Sequence, residues 1–496
     1  MLKTPKRPIL GRFFTTLTLL TTLAGGTNQR FLNPYLEKQL QDNQPEVNLQ
    51  PTRKETRRNH QQSDINKKRL TNFISELRSK RAPSQAPEGD SPFPFDPDRG
   101  YLNIFGDDGG NSMWYWHFRA RKNPTTAPLI IWLDGGPGAA SSAAVFMSNG
   151  PYTFNNFNPQ NPRVYFKNTT WAQVANMVYP DYPLGVGFST VTSEHVALGK
   201  EQVMNQILIF FKNFLKKYPE YKKRPLYIAG ASYAGHWVPY AATALKYSGN
   251  PDINVQGFYI TDGMMNATTM LNSYPEFAIK SYKYTRFTQQ DAEAFTNLKD
   301  LCIHSFFSRL NKLYTVNYIF LCLGPYFTGL VETIKSRNPK FNPYYMPGGP
   351  SSFNLPFVQF LNIPSIQNFL GVRKHQFQFE NNTFGSSFLL RDFYVDTRPM
   401  IARLLDDGIK GAIVVGELDF ITDYDQSEQV VADMKWKHQS AYNSAKRTPC
   451  KVGLCKVFAN LREYRVAGSG HGTSAWQPEK GLEIITEILS WEPSLV

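Results

Sequence analysis

The sequence predicts an α/β fold: a mostly parallel central sheet with helices on both faces and an inserted helical cap. Three observations carry this. Short apolar runs bounded by Gly, Pro or Asp recur through residues 93–264 and 396–496. Stretches with apolar residues at helical spacing separate several of them, and strands alternating with helices form parallel sheets covered on both faces. Residues 265–395 break the rhythm with aromatic-, Pro- and Asn-rich sequence, which reads as the cap. The 36 Phe, 26 Tyr and 8 Trp among 496 residues supply a large core and exclude disorder of the whole chain. No run of eighteen apolar residues is present, so no stable membrane insertion is expected.

Taken in order, residues 1–30 read as a targeting segment, with Lys3, Lys6, Arg7 and Arg12 before an apolar stretch rich in Leu and Thr. A secretory signal fits the apolar stretch; a mitochondrial presequence fits the absence of acidic residues before Glu37. Secretion is preferred, with weak support from Asn-x-Ser/Thr triplets at Asn168, Asn266 and Asn381. Residues 31–92 read as a polar, disordered propeptide-like segment, and within it Arg78-Ser79-Lys80-Arg81 has the spacing of a proprotein-processing site. The charge follows the same division. Residues 1–81 carry 16 basic and 6 acidic residues, a net of +10, which leaves only +4 of the total +14 for the rest. A basic tail that is removed gives no footprint for nucleic acid, so nucleic-acid binding is not expected.

In the folded part, strands are expected at 112–121, 128–133, 175–179, 225–229, 256–261, 411–415 and 463–467, and helices at 202–218 and 481–491. The four cysteines form two close pairs in sequence, and in an exporting context Cys302–Cys322 and Cys450–Cys455 are the expected disulfides.

Residues 224–240 read RPLYIAGASYAGHWVPY: a short buried strand, a tight turn around Ser232, then a helix. A serine there has its hydroxyl pushed out of the backbone at a helix N-terminus, where free N–H groups favour developing negative charge. The plain alternative is a helix N-cap serine. Two later signals favour the first. The strand at 411–415 ends in Gly416-Glu417-Leu418-Asp419, placing a carboxylate at the carboxyl edge of the sheet, although Asp419 could instead cap a helix over 423–435. The strand at 463–467 runs into Gly468-Ser469-Gly470-His471-Gly472. The order Ser232, Asp419, His471 is that of α/β-hydrolases, in which histidine takes the serine proton and the acid holds the ring. Oxyanion donors are expected from the amide of Tyr233 and from the loop Asp134-Gly135-Gly136-Pro137-Gly138, whose glycines permit close backbone approach.

With these blocks in place the chain resembles the serine carboxypeptidase family, of the carboxypeptidase Y kind, over about residues 93–492: WLDGGPG at 132–138, NGPY at 149–152, YPDYPLGVGFS at 179–189, GASYAGHWVP at 230–239, the run from Thr397 to Phe420, and GHGTSAWQPE at 470–479. The resemblance implies an α/β-hydrolase fold with a helical cap, the triad Ser232, Asp419 and His471, oxyanion donors at Gly136 and Tyr233, a peptide or protein substrate, and no metal or organic cofactor. It also implies a secreted, vacuolar or lysosomal protein. The substrate-binding positions depart from the family. Where the resemblance implies an Asn and two Glu residues holding the substrate's terminal carboxylate, this chain has Asp134, Ala231 and Ser148, with Gly135 kept beside them; a family Cys is Ala139. Three functions follow as alternatives: a serine peptidase with altered terminal preference, an acyltransferase or esterase using the same acyl-enzyme, or a non-catalytic member of the fold.

Overall fold

The computed structural model describes residues 91–106, 109–155, 157–307, 322–349, 355–373 and 376–492. The targeting segment, most of the propeptide-like segment and the Arg78–Arg81 quartet lie outside the described residues.

Among the described residues twelve strands occur in the order β1 (Asp98–Phe105), β2 (Asn111–Phe118), β3 (Leu129–Leu133), β4 (Tyr152–Thr153), β5 (Tyr165–Phe166), β6 (Asn176–Pro180), β7 (Pro225–Ala231), β8 (Asn254–Thr261), β9 (Lys410–Gly416), β10 (Thr448–Cys450), β11 (Gly453–Phe458) and β12 (Leu461–Val466). Ten form one sheet in the order β1-β2-β6-β3-β7-β8-β9-β12-β11-β10. The run from β6 to β12 is parallel throughout, and antiparallel strands flank it on both sides. All seven expected strands are present. Most were legible because centrally placed strands are covered on both faces and read as continuous apolar runs, as β3 and β6, buried at every residue, do; β12, LREYRV, is the exception, with three charged residues. The edge strands β1 and β10, and β11 next to β10, were not anticipated, since partly exposed strands mix polar and apolar residues, as DRGYLNIF in β1 does.

The expected helices form with shifted ends. Lys200–Lys217 turns Val203, Ile207, Phe210, Phe211, Phe214 and Leu215 inward and ends on Lys216 and Lys217, cations that suit a helix C-terminus. Each buried phenylalanine contributes about 1.5–3 kcal/mol of apolar burial. Pro478–Ser490 begins three residues early because proline is favoured in the first turn, where its missing N–H has no partner to lose. Ala234–Lys246 packs on β7 and β8. Between β8 and β9 the described chain is helical, including Ala267–Lys280, Gln289–Phe307, Gly329–Arg337 and Asn382–Asp392.

Both disulfides join the pairs expected, Cys302–Cys322 within the helical segment and Cys450–Cys455 across the β10–β11 hairpin. The three Asn-x-Ser/Thr asparagines differ. Asn168 is exposed, whereas Asn266 is buried and caps Ala267–Lys280 by accepting the Thr269 N–H at 2.9 Å, and Asn381 caps Asn382–Asp392.

Parallel strands point their carboxyl ends to one edge of the sheet. Register brings Leu133 beside Gly230, Ala231 beside Thr261, Thr261 beside Val414, and Gly416 beside Val466. The loops that follow these strands therefore meet at this edge, and they carry Asp134, Ser232, Asp262, Asp419 and His471.

Candidate active site

Ser232 sits between the end of β7 and the start of Ala234–Lys246, at φ +64. A left-handed serine is uncommon and costs on the order of 1–3 kcal/mol, and here it lets a strand turn directly into a helix. The turn is possible only because glycine precedes it: a Cβ on Gly230 would lie 2.2 Å from the Leu133 carbonyl oxygen and 2.6 Å from the Ala234 Cβ.

Asp419 is fully buried beyond β9. Its Oδ1 accepts the Ile421 N–H at 2.8 Å, and its Oδ2 accepts the Thr422 hydroxyl at 2.6 Å and lies 2.8 Å from His471 Nδ1. It does not cap the following helix; Asp423 does, accepting the Gln426 N–H at 2.9 Å. His471 is held by its own backbone, its N–H donating to the Tyr344 carbonyl at 2.8 Å and its carbonyl accepting the Trp476 indole N–H at 2.8 Å. Burial disfavours a charged ring, but Asp419, then Asp262 and Asp134, outweigh it and raise the His471 pKa above its ordinary value. With Nδ1 committed to Asp419, Nε2 is the nitrogen left for proton transfer. Among the described residues no hydrogen bond joins His471 to the Ser232 hydroxyl; such contacts are commonly loose in free enzymes and tighten with substrate.

The loop after β3 lies against the Ser232 turn. A Cβ on Gly135 would fall 2.8 Å from both Ser232 Cβ and Tyr233 N, so only glycine admits this contact. Gly136 follows at φ +103. Tyr233 is buried, its ring stacked on His236 at 4.7 Å. Among the described residues neither the Gly136 nor the Tyr233 N–H donates to a protein acceptor, which leaves both for a developing oxyanion.

Asp134, next in this loop, accepts the Gly135 N–H at 3.0 Å, and burial pushes its carboxyl up to about 6, with the nearby Glu380 acting the same way and His471 opposing. Ala231 is buried at the end of β7. Ser148 closes the helix Ser142–Met147, and its carbonyl accepts the Lys167 ammonium, whose pKa burial lowers to about 8. No hydrogen bond joins Ser148 to Ser232, Asp134 or Ala231 among the described residues.

A family model described as serine carboxypeptidase matches residues 87–491. The chain belongs to the serine carboxypeptidase family. It is a serine-type, carboxypeptidase-like hydrolase of the α/β-hydrolase fold. Similar relatives include serine carboxypeptidase-like 49 of Arabidopsis thaliana, 29% identical over 76% of this chain and 73% of that protein. Another is serine carboxypeptidase S10 family member 1 of Dictyostelium discoideum, 27% identical over 79% of this chain and 93% of that protein. Among solved structures, Kex1(delta)p, a prohormone-processing carboxypeptidase from Saccharomyces cerevisiae, superposes with a TM-score of 0.68 at 19% identity, covering 79% of this chain and 90% of that one, a likeness of fold.

Four residues of this family member beside the site were not anticipated. Thr422 bonds Asp419 as above. Asp262, directly after β8, accepts N–H groups from the loops of both Asp419 and His471. Its position directly after the strand expected at 256–261 is the signal in the sequence that could have found it. Tyr344 sets its ring at 5.3 Å from His471, edge to face, and Glu380 lies in a segment that pairs with the loop at Gly138–Ala140, through Ala140 N–H to Phe379 O at 2.8 Å and Asn381 N–H to Gly138 O at 3.1 Å. Glu380 is accessible, yet the protein around it raises its carboxyl above the usual range. Tyr344 and Glu380 come from the irregular segment between β8 and β9, where no periodicity marks a site.

Proposed function

We propose that this protein cleaves peptide bonds, or esters, through an acyl-enzyme on Ser232, with recognition of a free C-terminus altered. The observation that carries this is the His471–Asp419 hydrogen bond, formed by loops at the same sheet edge as the strained Ser232 turn. A serine hydroxyl is too weak a nucleophile at neutral pH, so His471 Nε2 takes its proton during attack and returns it to the leaving amine or alcohol. The Asp419 carboxylate stabilises the imidazolium that forms between. The amides of Gly136 and Tyr233 receive the oxyanion of the tetrahedral intermediate, a service worth about 2.7–4 kcal/mol per donor in a well-studied protease. Water then releases the acyl group by the reverse steps.

Asp134, Gly135, Ala231 and Ser148 are the proposed recognition positions. Ala231 has no polar side-chain atom to offer a carboxylate and Ser148 offers at most one neutral side-chain donor, while Asp134 is mostly ionised near pH 7 and sets negative charge against negative charge. A C-terminally blocked peptide escapes that repulsion. We further propose that residues 265–395 form the cap over the site, and that the chain enters the secretory pathway; its two disulfides suit an oxidising compartment rather than the mitochondrial matrix. The deciding experiment is fluorophosphonate labelling followed by product analysis on matched free and blocked peptides and simple esters. Labelling at Ser232 with peptide products supports the proposal; no labelling favours a non-catalytic descendant, and transfer to an added alcohol favours an acyltransferase.

A further inference from the structure

One buried carboxylate outside the proposed triad holds both loops of the His471–Asp419 pair. Asp262 is fully buried at φ +49, immediately after β8. Its Oδ1 accepts the Gly416 N–H at 2.7 Å, at the end of the strand that leads to Asp419. Its Oδ2 accepts the N–H groups of Gly472 at 2.9 Å and Thr473 at 3.1 Å, the two residues after His471, and the Thr261 hydroxyl at 2.7 Å. Its own carbonyl accepts the Thr422 hydroxyl at 3.0 Å, the same hydroxyl that bonds Asp419. Three loops, those after β8, β9 and β12, therefore share one side chain and its carbonyl.

We propose that the ionised carboxylate of Asp262 is a positioning group that clamps the Asp419 loop to the His471 loop, and that protonating it loosens the hydrogen-bonded pair. Only an acceptor on both oxygens satisfies this site, because backbone N–H groups converge on each. A neutral carboxyl must turn its O–H toward one of them, and an asparagine must turn its NH2 group toward one of them, leaving a buried donor unpaired. Burial and the facing Asp419 push the Asp262 carboxyl up to about 6, within reach of mildly acid solution. The charged or titratable groups around it are Asp419 and His471 across the clamp and Tyr259 on its own strand. Asp134 acts on His471 from the β3 loop, while Asp419 in turn raises the Asp423 carboxyl and the Tyr344 hydroxyl. None of these except protonated His471 is a cation, and Asp262 and His471 each favour the charged form of the other.

The proposal rests on Ser232, Asp419 and His471 being the triad, and its test separates the two ideas. The His471 ring is followed by NMR from pH 8 to 4.5 in the full chain, alongside kcat/KM on an uncharged ester. In the wild type the ring should report two steps, its own and that of Asp262, and log kcat/KM should steepen from a slope of 1 to 2 below about pH 6. Asp262→Asn should leave one step at lower pH, since a negative charge facing the ring is gone, restore a slope of 1, and reduce kcat about ten- to hundredfold with KM changed less than threefold. A single wild-type step, or the same His471 midpoint in both proteins, overturns the clamp; if Asp262→Asn does not fold, the wild-type titration decides alone. Turnover retained in Ser232→Ala would instead overturn the triad, while the NMR result still reads the clamp.

Discussion

His471 Nδ1 lies 2.8 Å from Asp419 Oδ2, and the Thr422 hydroxyl reaches the same oxygen at 2.6 Å. The acid of this pair is fully buried and the base only partly so. A ring held in this way presents a fixed tautomer to a serine and loses little orientation entropy on reaction.

Ser232→Ala is expected to abolish fluorophosphonate labelling and turnover while leaving the melting temperature within a few degrees of wild type. The change removes one hydroxyl from a turn whose conformation is set by Gly230 and Gly135. Loss of a triad serine costs about a million-fold in kcat in a well-studied serine protease. Turnover within tenfold of wild type would exclude Ser232 as nucleophile.

Asp134 gives terminal preference a pH dependence. Its carboxyl, pushed up to about 6 by burial, is about ten parts ionised to one neutral at pH 7 and mostly neutral at pH 5. An amidated peptide should be processed at least as fast as its free acid at pH 7, and the free acid should gain on it as the pH falls through 6. Asp134→Asn should lower KM for free acids at pH 7 and change little at pH 5. The measurement is kcat/KM for the matched pair from pH 4 to 8, and a strong free-acid preference at pH 7 would contradict it.

Thermal stability should fall as the pH rises from 6 to 8. The buried carboxyls of Asp181 and Asp423 are pushed up to about 7 by desolvation, from an ordinary value of 3.8. Between about pH 3.8 and 7 the folded chain therefore holds protons that the unfolded chain has lost, so stability that is full below 3.8 falls across that window, still falls from pH 6 to 7, and levels off once the pH passes the folded value. His471, raised above its ordinary 6.5, has the same sign. His236, lowered to about 4 by burial, has the opposite sign, but only between about pH 4 and 6.5. Calorimetry at pH 6, 7 and 8 checks this, and a melting temperature that rises over that range would refute it.

The mature protein is expected to begin near Ala82, after Arg78-Ser79-Lys80-Arg81. N-terminal sequencing of active protein from its native source is the check. Recovery of residues 31–81 on that protein would remove the propeptide proposal and reinstate a functional basic tail.

Local sequence was enough for the elements that carry Ser232 and Asp419, because each follows a buried strand whose apolar run ends sharply at a turn, whereas the strand before His471, LREYRV, carries three charged residues and is marked instead by the Gly-Ser-Gly-His-Gly that follows it. It also sufficed for the two disulfides, whose partners are near neighbours in the chain. It did not reach β1, β10 and β11, whose strand character comes from the neighbours they pair with rather than from their own residues. Asp262 was visible as an aspartate after a strand, but its role depends on N–H groups some 150 to 210 residues away. Tyr344 and Glu380 come from a segment without periodicity and are brought to the site by backbone pairing with the Asp419, His471 and Gly138 loops. Burial and charge likewise belong to the folded chain alone: an aspartate at position 134 has an ordinary carboxyl in the sequence, and only the protein packed around it moves that carboxyl to about 6.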